Sequence, residues 1–117
     1  MNERNWTPYI NLKKYISHNP QKPDVLYLQI ADPHVSSETY NDIVRVYEKD
    51  IDGSIVEKKL PIRSHGSPNL ILFRQWKEAF EKGLLNVNTH IKIKFWWRKS
   101  KRNPERELRD YKLIILD

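Results

Sequence analysis

The residues best suited to binding chemistry lie in one stretch of the sequence, residues 90–112. This stretch carries nine Lys or Arg residues against three acids, so its net charge equals the +6 of the whole 117-residue chain. Two adjacent tryptophans, Trp96 and Trp97, lie among these cations. Cations attract phosphate groups and flat aromatic rings stack on exposed bases, so this combination is typical of surfaces that bind single-stranded nucleic acid.

Apolar and polar residues alternate strictly from position 90 to position 98, which predicts a β-strand. One face of this strand is apolar and is expected to join the core: Ile91, Ile93, Phe95 and Trp97. The other face is expected to contact the ligand: Lys92, Lys94, Trp96 and Arg98. Side chains two residues apart on a strand lie about 7 Å apart, near the spacing of adjacent phosphates in an extended single strand.

Two further groups of residues extend this candidate surface. The charged loop after the strand contributes three cations: Lys99, Lys101 and Arg102. The arginines at positions 106 and 109 count for less, because Glu105 and Glu107 are expected to pair with them. Two earlier strands contribute residues that alternate away from apolar neighbours: Tyr27, Arg45 and Tyr47.

The elements that must position these residues are five strands and one main helix. The predicted strands are residues 25–30, 43–48, 54–62, 90–98 and 111–116, with a polar loop at 32–42 and a tight turn at Asp52-Gly53. The predicted helix is 68–82, with Ser67 as N-cap and Pro68 as its first residue. Its apolar stripe is expected to lie in the core: Phe73, Trp76 and Phe80.

The first 23 residues are expected to form an arm outside the main domain, which spans residues 24–117. Thr7 and Pro8 have the types preferred at the N-cap and first position of a helix, so a short helix is predicted there. Two prolines within 17–23 then predict a linker. The arm is expected either to plug one end of the main domain or to take part in an oligomer contact.

The order strand, strand, strand, helix, strand, strand resembles that of an OB-fold, a five-stranded Greek-key barrel. The most similar local stretch runs from 76–83 through 90–95 to 111–116. Single-stranded-DNA-binding proteins of the bacterial and replication-protein-A-like kinds have a similar order of elements. The resemblance implies a mainly β barrel that binds single-stranded nucleic acid, with DNA more likely than RNA as the ligand. It also implies that the loop between the fourth and fifth strands closes over the ligand. The flexible acidic tail that is usual in the bacterial proteins is not expected after Asp117.

Composition argues against several other functions. The chain has no cysteine and only three glycines, so we expect no disulfide, no cysteine-based zinc site and no glycine-rich phosphate loop. The segment 64–67 places a histidine between serines but lacks the pattern of a nucleophilic site. We therefore expect a protein that is not an enzyme and needs no cofactor or metal, and a small β-rich enzyme is the weakest alternative.

Two alternatives to nucleic-acid binding stay open. The basic hairpin suits an acidic protein surface, as in a small protein-interaction module or a subunit of a nucleoprotein complex, of viral or mobile-element origin. Its lysines also suit the protection of a strand edge against aggregation. The sequence shows no signal peptide and no membrane span, so a cytoplasmic location is expected. A homodimer or a larger nucleoprotein complex is compatible with the apolar last strand.

Overall fold

The computed structural model of the protein describes residues 7–67 and 69–117. They form a five-stranded antiparallel sheet, one α-helix and a short 3-10 helix (Leu12–Lys14). In chain order the elements are β1 (Asp24–Ser37), β2 (Asn41–Lys49), β3 (Ile55–Ser64), α1 (Ile71–Glu81), β4 (His90–Lys99) and β5 (Glu107–Ile115). The predicted mainly β fold, with its helix between the third and fourth strands, is confirmed.

The strands lie in the order β3-β2-β1-β4-β5, which puts β1 at the centre of the sheet. The strands β3 and β5 are its two edges, and within the described residues they do not pair with each other. The sheet is therefore not closed into the predicted barrel. The helix α1 contacts both edge strands.

Three predicted boundaries are wrong. The last strand, β5, begins at Glu107 and not at residue 111. The segment 32–42 was predicted as a loop, but β1 continues to Ser37 because Asp32, Ser36 and Ser37 pair with β2 across two register shifts. The helix begins only at Ile71, and Leu70 precedes it without a side-chain cap. The Ser67 hydroxyl instead accepts a hydrogen bond from the Asn69 N–H before the helix. Pro68, the predicted first residue, lies outside the described residues.

Residues 7–11 of the arm are extended, so the short helix does not begin at Thr7 as predicted, and the helical turn in the described part of the arm is the 3-10 helix Leu12–Lys14. The Ile10 N–H donates to the Lys59 carbonyl at 2.9 Å, and the Lys59 N–H donates to the Pro8 carbonyl at 2.8 Å. These bonds attach the arm to the outer edge of β3. Burial of Ile10 in the core and pairing with β3 outweigh a helix too short to be stable alone. Further along, Ser17 accepts a hydrogen bond from the Trp97 N–H at 2.8 Å, so the arm reaches from β3 to β4.

The inner face of the sheet forms the core, as alternation predicts. In β4 the predicted core residues are buried: Ile91, Ile93 and Phe95. Trp76 on α1 is also fully buried, and its indole N–H donates to the Pro33 carbonyl at 2.9 Å. The tryptophan therefore ties the helix to the extension of β1.

Two residues predicted to lie in the core do not. Trp97 is only half-buried, because β1 begins opposite Phe95 and, within the described residues, leaves no strand beside Trp97 on that side. The Arg109 guanidinium lies over the Trp97 ring at 4.5 Å. Phe80 is 37% exposed at the end of the helical stripe, where the ring of His34 meets it edge-on. Phe73 packs against the core but is partly exposed.

Side chains from the helical segment cover the outer edge of β5. The Gln75 amide nitrogen donates to the Tyr111 carbonyl at 2.8 Å, and its oxygen accepts from the Leu113 N–H at 2.7 Å. The Asn69 amide donates to the Arg109 carbonyl at 2.7 Å. The Gln75 side chain thus supplies the donor and acceptor that a neighbouring strand would supply, which blocks edge-to-edge pairing at this point.

Replacing Gln75 by Met is expected to destabilise the fold by about 2 kcal/mol, because two partly buried backbone groups lose their partners at about 1 kcal/mol each. Urea denaturation measures the loss, and hydrogen exchange of the Leu113 amide should accelerate. Gln21, whose side chain is exposed, provides the matched control as Gln21→Met. Equal stability of the two variants would contradict this role of Gln75.

Candidate nucleic-acid interface

The outward face of the sheet is built by the register of β1, β4 and β5. Lys92 lies opposite Tyr27 on one side and Ile114 on the other. Lys94 lies opposite Val25 on one side and Lys112 on the other. Because the inward neighbours of these residues are buried, their own side chains must point away from the core. The structure thus brings Tyr27 next to Lys92, as the predicted surface requires.

The aromatic residues of the predicted surface are partly accessible. Tyr27 is 64% exposed, whereas Tyr47 and Trp96 are half-buried. Tyr27 and Tyr47 line a shallow pocket of about 210 Å³ together with Gln29 and His90. Trp96 lies farther along β4, opposite Asp110 of β5. The tyrosines therefore share one end of the face, and the tryptophan lies towards its other end.

The predicted cations divide into paired and unpaired groups. Lys92 and Lys94 form no ion pair within residues 7–67 and 69–117. Arg98 instead pairs with Asp110, with 2.7 Å between its Nε and the carboxylate. Arg45 pairs with Glu57 at 2.9 Å and also donates to the Thr7 hydroxyl. The two lysines are partly exposed and have no local acid to compete with a phosphate, whereas each arginine would have to share its charge.

The end of β4 and the loop that follows it expose the remaining predicted residues. Lys99, Lys101 and Arg102 are exposed and have no acidic partner among the side chains that the structure describes. The expected pairing of the later arginines with the loop glutamates is wrong for Glu107, which contacts His18 at 3.0 Å. Arg109 donates to the Tyr15 carbonyl instead. The end of β4 and the loop therefore present three cations to solvent.

Lys112 belongs to this face but was not among the predicted site residues. It is exposed on β5 and lies directly opposite Lys94. Like charges directly opposite on neighbouring strands destabilise a sheet, and a bound anion relieves that repulsion. Apolar and polar residues alternate in β5 from 108 to 114, and this pattern predicts that Lys112 points outward. Its position opposite Lys94 depends on the strand register, which the sequence does not determine.

The lysines of β3 show the opposite arrangement. Lys58 contacts Glu48 at 2.7 Å and Asp50 at 3.0 Å, and the hydrogen bond to Glu48 raises the pKa of its ammonium group. Lys59 pairs with Glu38 at 2.9 Å. Local acids thus neutralise Lys58 and Lys59 at the β3 edge, whereas Lys92, Lys94 and Lys112 have no acidic partner among the described residues.

No protein-family model, curated protein or solved structure matches this chain. In the described part of the chain, no group of three or more His, Asp or Glu side chains could hold a metal ion. The same part contains no helix of the length and apolarity needed to cross a membrane.

Proposed function

We propose that the protein binds single-stranded nucleic acid, DNA ahead of RNA, on the outward face of β1, β4 and β5. The observation that supports the proposal is a set of lysines that have no acidic partner among the described residues and lie beside partly accessible aromatic rings: Lys92, Lys94 and Lys112 beside Tyr27 and Trp96. The lysines would contact phosphates, and the rings would stack on unpaired bases. Lys99, Lys101 and Arg102 would extend the phosphate contacts into the loop.

The free energy of micromolar binding requires both base stacking and phosphate contacts. One base stacked on an aromatic ring contributes about 1 to 3 kcal/mol, whereas micromolar affinity requires roughly 8 kcal/mol. Phosphate contacts from about five cations would supply the remainder and would make binding strongly dependent on salt. Binding of this kind has little sequence preference, since every base presents a face that can stack.

We also propose that the fold is an opened OB type. An OB-fold is itself a partly open Greek-key barrel, and one helix lies between its third and fourth strands. In this protein α1 contacts both β3 and β5, and the Gln75 amide occupies the edge of β5. In this proposal the helix takes the place of the missing pairing between the two edge strands.

A titration of labelled oligo-dT tests the proposed function. With about five phosphate contacts, the affinity should fall about a hundredfold between 50 and 200 mM salt, measured by fluorescence anisotropy. Labelled polyglutamate provides the control, because it carries charge but no bases. Equal affinity for polyglutamate would favour an acidic protein surface as the partner, and no binding of oligo-dT at 50 mM salt would refute the proposal.

Replacing Trp96 by Ala should weaken oligo-dT binding about tenfold, the loss expected for one stacked base. The salt dependence should stay unchanged, since no cation is removed. Trp97→Phe is the matched control, because the ring at position 97 already lies under Arg109. A folded Trp96→Ala variant with the affinity of the original protein would show that Trp96 does not stack on a base.

A further inference from the structure

A cleft of about 380 Å³ lies between α1, the far half of β1 and the end of β3. It contains none of the residues proposed to bind nucleic acid. Its apolar walls come from the helix and from β1, and they include Phe73, Phe80 and Val35. Phe80 is 37% and Val35 43% exposed, while Trp76 lies fully buried beneath them. The cleft therefore leaves apolar surface open to water over a rigid floor.

The geometry of the rings in this cleft does not suit base stacking. The Arg63 guanidinium lies 4.2 Å from the centre of the Phe73 ring and covers one of its faces. The rings of His34 and Phe80 meet edge-on, at 5.2 Å and 69°. A base needs a flat and accessible ring face. These walls can instead enclose one large apolar side chain.

The charge around the cleft favours an acidic ligand. Among the described residues that line it, Asp42 is the only acid, and its carboxylate accepts hydrogen bonds from Ser37 at 2.7 Å and Arg63 at 2.6 Å. The His65 ring lies 3.0 Å from the same carboxylate. Lys77 at the rim is exposed and forms no ion pair within the described residues. The acid is therefore neutralised, and a cation remains at the entrance.

We propose that this cleft is a docking site for an acidic segment of a partner protein, anchored by one large apolar side chain. The anchor would lie over Trp76 between Phe80 and Val35, and the neighbouring carboxylates would face Lys77. Interfaces of this kind depend on a few well-packed apolar or aromatic anchors with charged residues at their rim. The site is independent of the proposed nucleic-acid face, so the protein would join a nucleic acid to a second protein.

The indole N–H signals of the tryptophans separate the two surfaces in one NMR experiment. The Trp76 indole donates to Pro33 at the floor of the cleft, whereas Trp96 lies on the outward face of β4. The probe is the peptide Asp-Glu-Asp-Phe-Glu-Asp-Glu, added to the full ¹⁵N-labelled chain, with signals assigned by Trp→Phe variants. We expect a saturable shift of the Trp76 signal with a Kd of about 0.1 to 1 mM, and an unmoved Trp96 signal.

Two substitutions give a crossed control. Lys77→Glu should weaken peptide binding at least about fivefold and leave oligo-dT binding unchanged, since its charge lies at the rim of the cleft. Lys101→Glu should weaken oligo-dT binding and leave peptide binding unchanged. The same peptide with alanine in place of phenylalanine should no longer shift the Trp76 signal.

Three outcomes would overturn the docking site. They are a Trp76 signal that stays unmoved at about 2 mM peptide, an equal shift with the alanine peptide, and a shift caused by oligo-dT but not by the peptide. The last would assign the cleft to nucleic acid. A failure of oligo-dT to bind anywhere would refute the proposed function and leave this test intact, because the peptide signal is read separately.

Discussion

Replacing Lys92 and Lys94 together by Glu is expected to weaken oligo-dT binding about a hundredfold at 50 mM salt. Each lysine would lose a charge-assisted contact of about 1.5 kcal/mol, and 1.4 kcal/mol corresponds to a factor of ten in affinity. The slope of log affinity against log salt should also become shallower by about 1.4, since two phosphate contacts are lost. Anisotropy titrations at several salt concentrations measure both quantities.

The stability of the same variant separates lost binding from lost folding. In the original protein Lys94 faces Lys112 directly across the sheet, so Glu at position 94 would create an attractive pair there. Opposite charges in such positions contribute roughly 0.2 to 1 kcal/mol. The variant should therefore unfold at the same urea concentration as the original protein or at a higher one, although it binds far less nucleic acid.

Lys13→Glu with Lys22→Glu provides the matched control, because these two exposed lysines lie outside the proposed face and the change in net charge is the same. Its affinity for oligo-dT should fall by much less than that of the β4 variant. Equal losses in the two double variants would mean that only total charge matters, and the proposed face would then be wrong.

The sequence predicted those parts of the fold in which apolar and polar residues alternate within a single strand. Strict alternation in β4 places Ile91, Ile93 and Phe95 in the core, and the structure confirms this because one face of an antiparallel strand is buried and the other is not. The extension of β1 to Ser37 was missed, since its residues are mostly polar and its pairing with β2 depends on two register shifts.

The pairing of charges could not be predicted from the sequence. Arg98 meets Asp110 and Arg45 meets Glu57 only because β4 pairs with β5 and β2 with β3 in a particular register. Trp97 shows the same limit for burial. Alternation places Trp97 on the same face as Phe95, but the buried core ends at Phe95. Beside Trp97 lies the arm, which accepts a hydrogen bond from the Trp97 backbone N–H.

Replacing Asp42 by Asn is expected to destabilise the protein by about 2 kcal/mol at neutral pH. The Asp42 side chain is 2% exposed and accepts hydrogen bonds from Ser37 and Arg63. A hydrogen bond to a charged group contributes about 1.5 to 3 kcal/mol, and the guanidinium of Arg63, which is 36% exposed, keeps water as a partner after the substitution. Urea denaturation measures the loss. Glu105→Gln, at an exposed loop residue, is the control and should change the free energy of unfolding by less than about 0.5 kcal/mol.

The pH dependence of this effect has a definite sign. The hydrogen bond from His65, together with those from Ser37 and Arg63, lowers the pKa of Asp42 from 3.8 to about 2. A carboxylate whose pKa is lower in the folded state stabilises the fold above its unfolded pKa, and this contribution is lost as the pH falls through the folded value. The difference corresponds to about 2 kcal/mol, fully present above pH 4 and lost towards pH 2.

The gap in unfolding free energy between the original protein and Asp42→Asn should therefore narrow by about 2 kcal/mol as the pH falls from about 5 to 2. Asparagine does not titrate, so the variant lacks this contribution at every pH. A gap that stays constant across this range would show that the carboxylate titrates normally in the folded protein. Because Asp42 also holds Arg63 over Phe73, the variant should lose the shape of the cleft, and the acidic peptide should bind it more weakly.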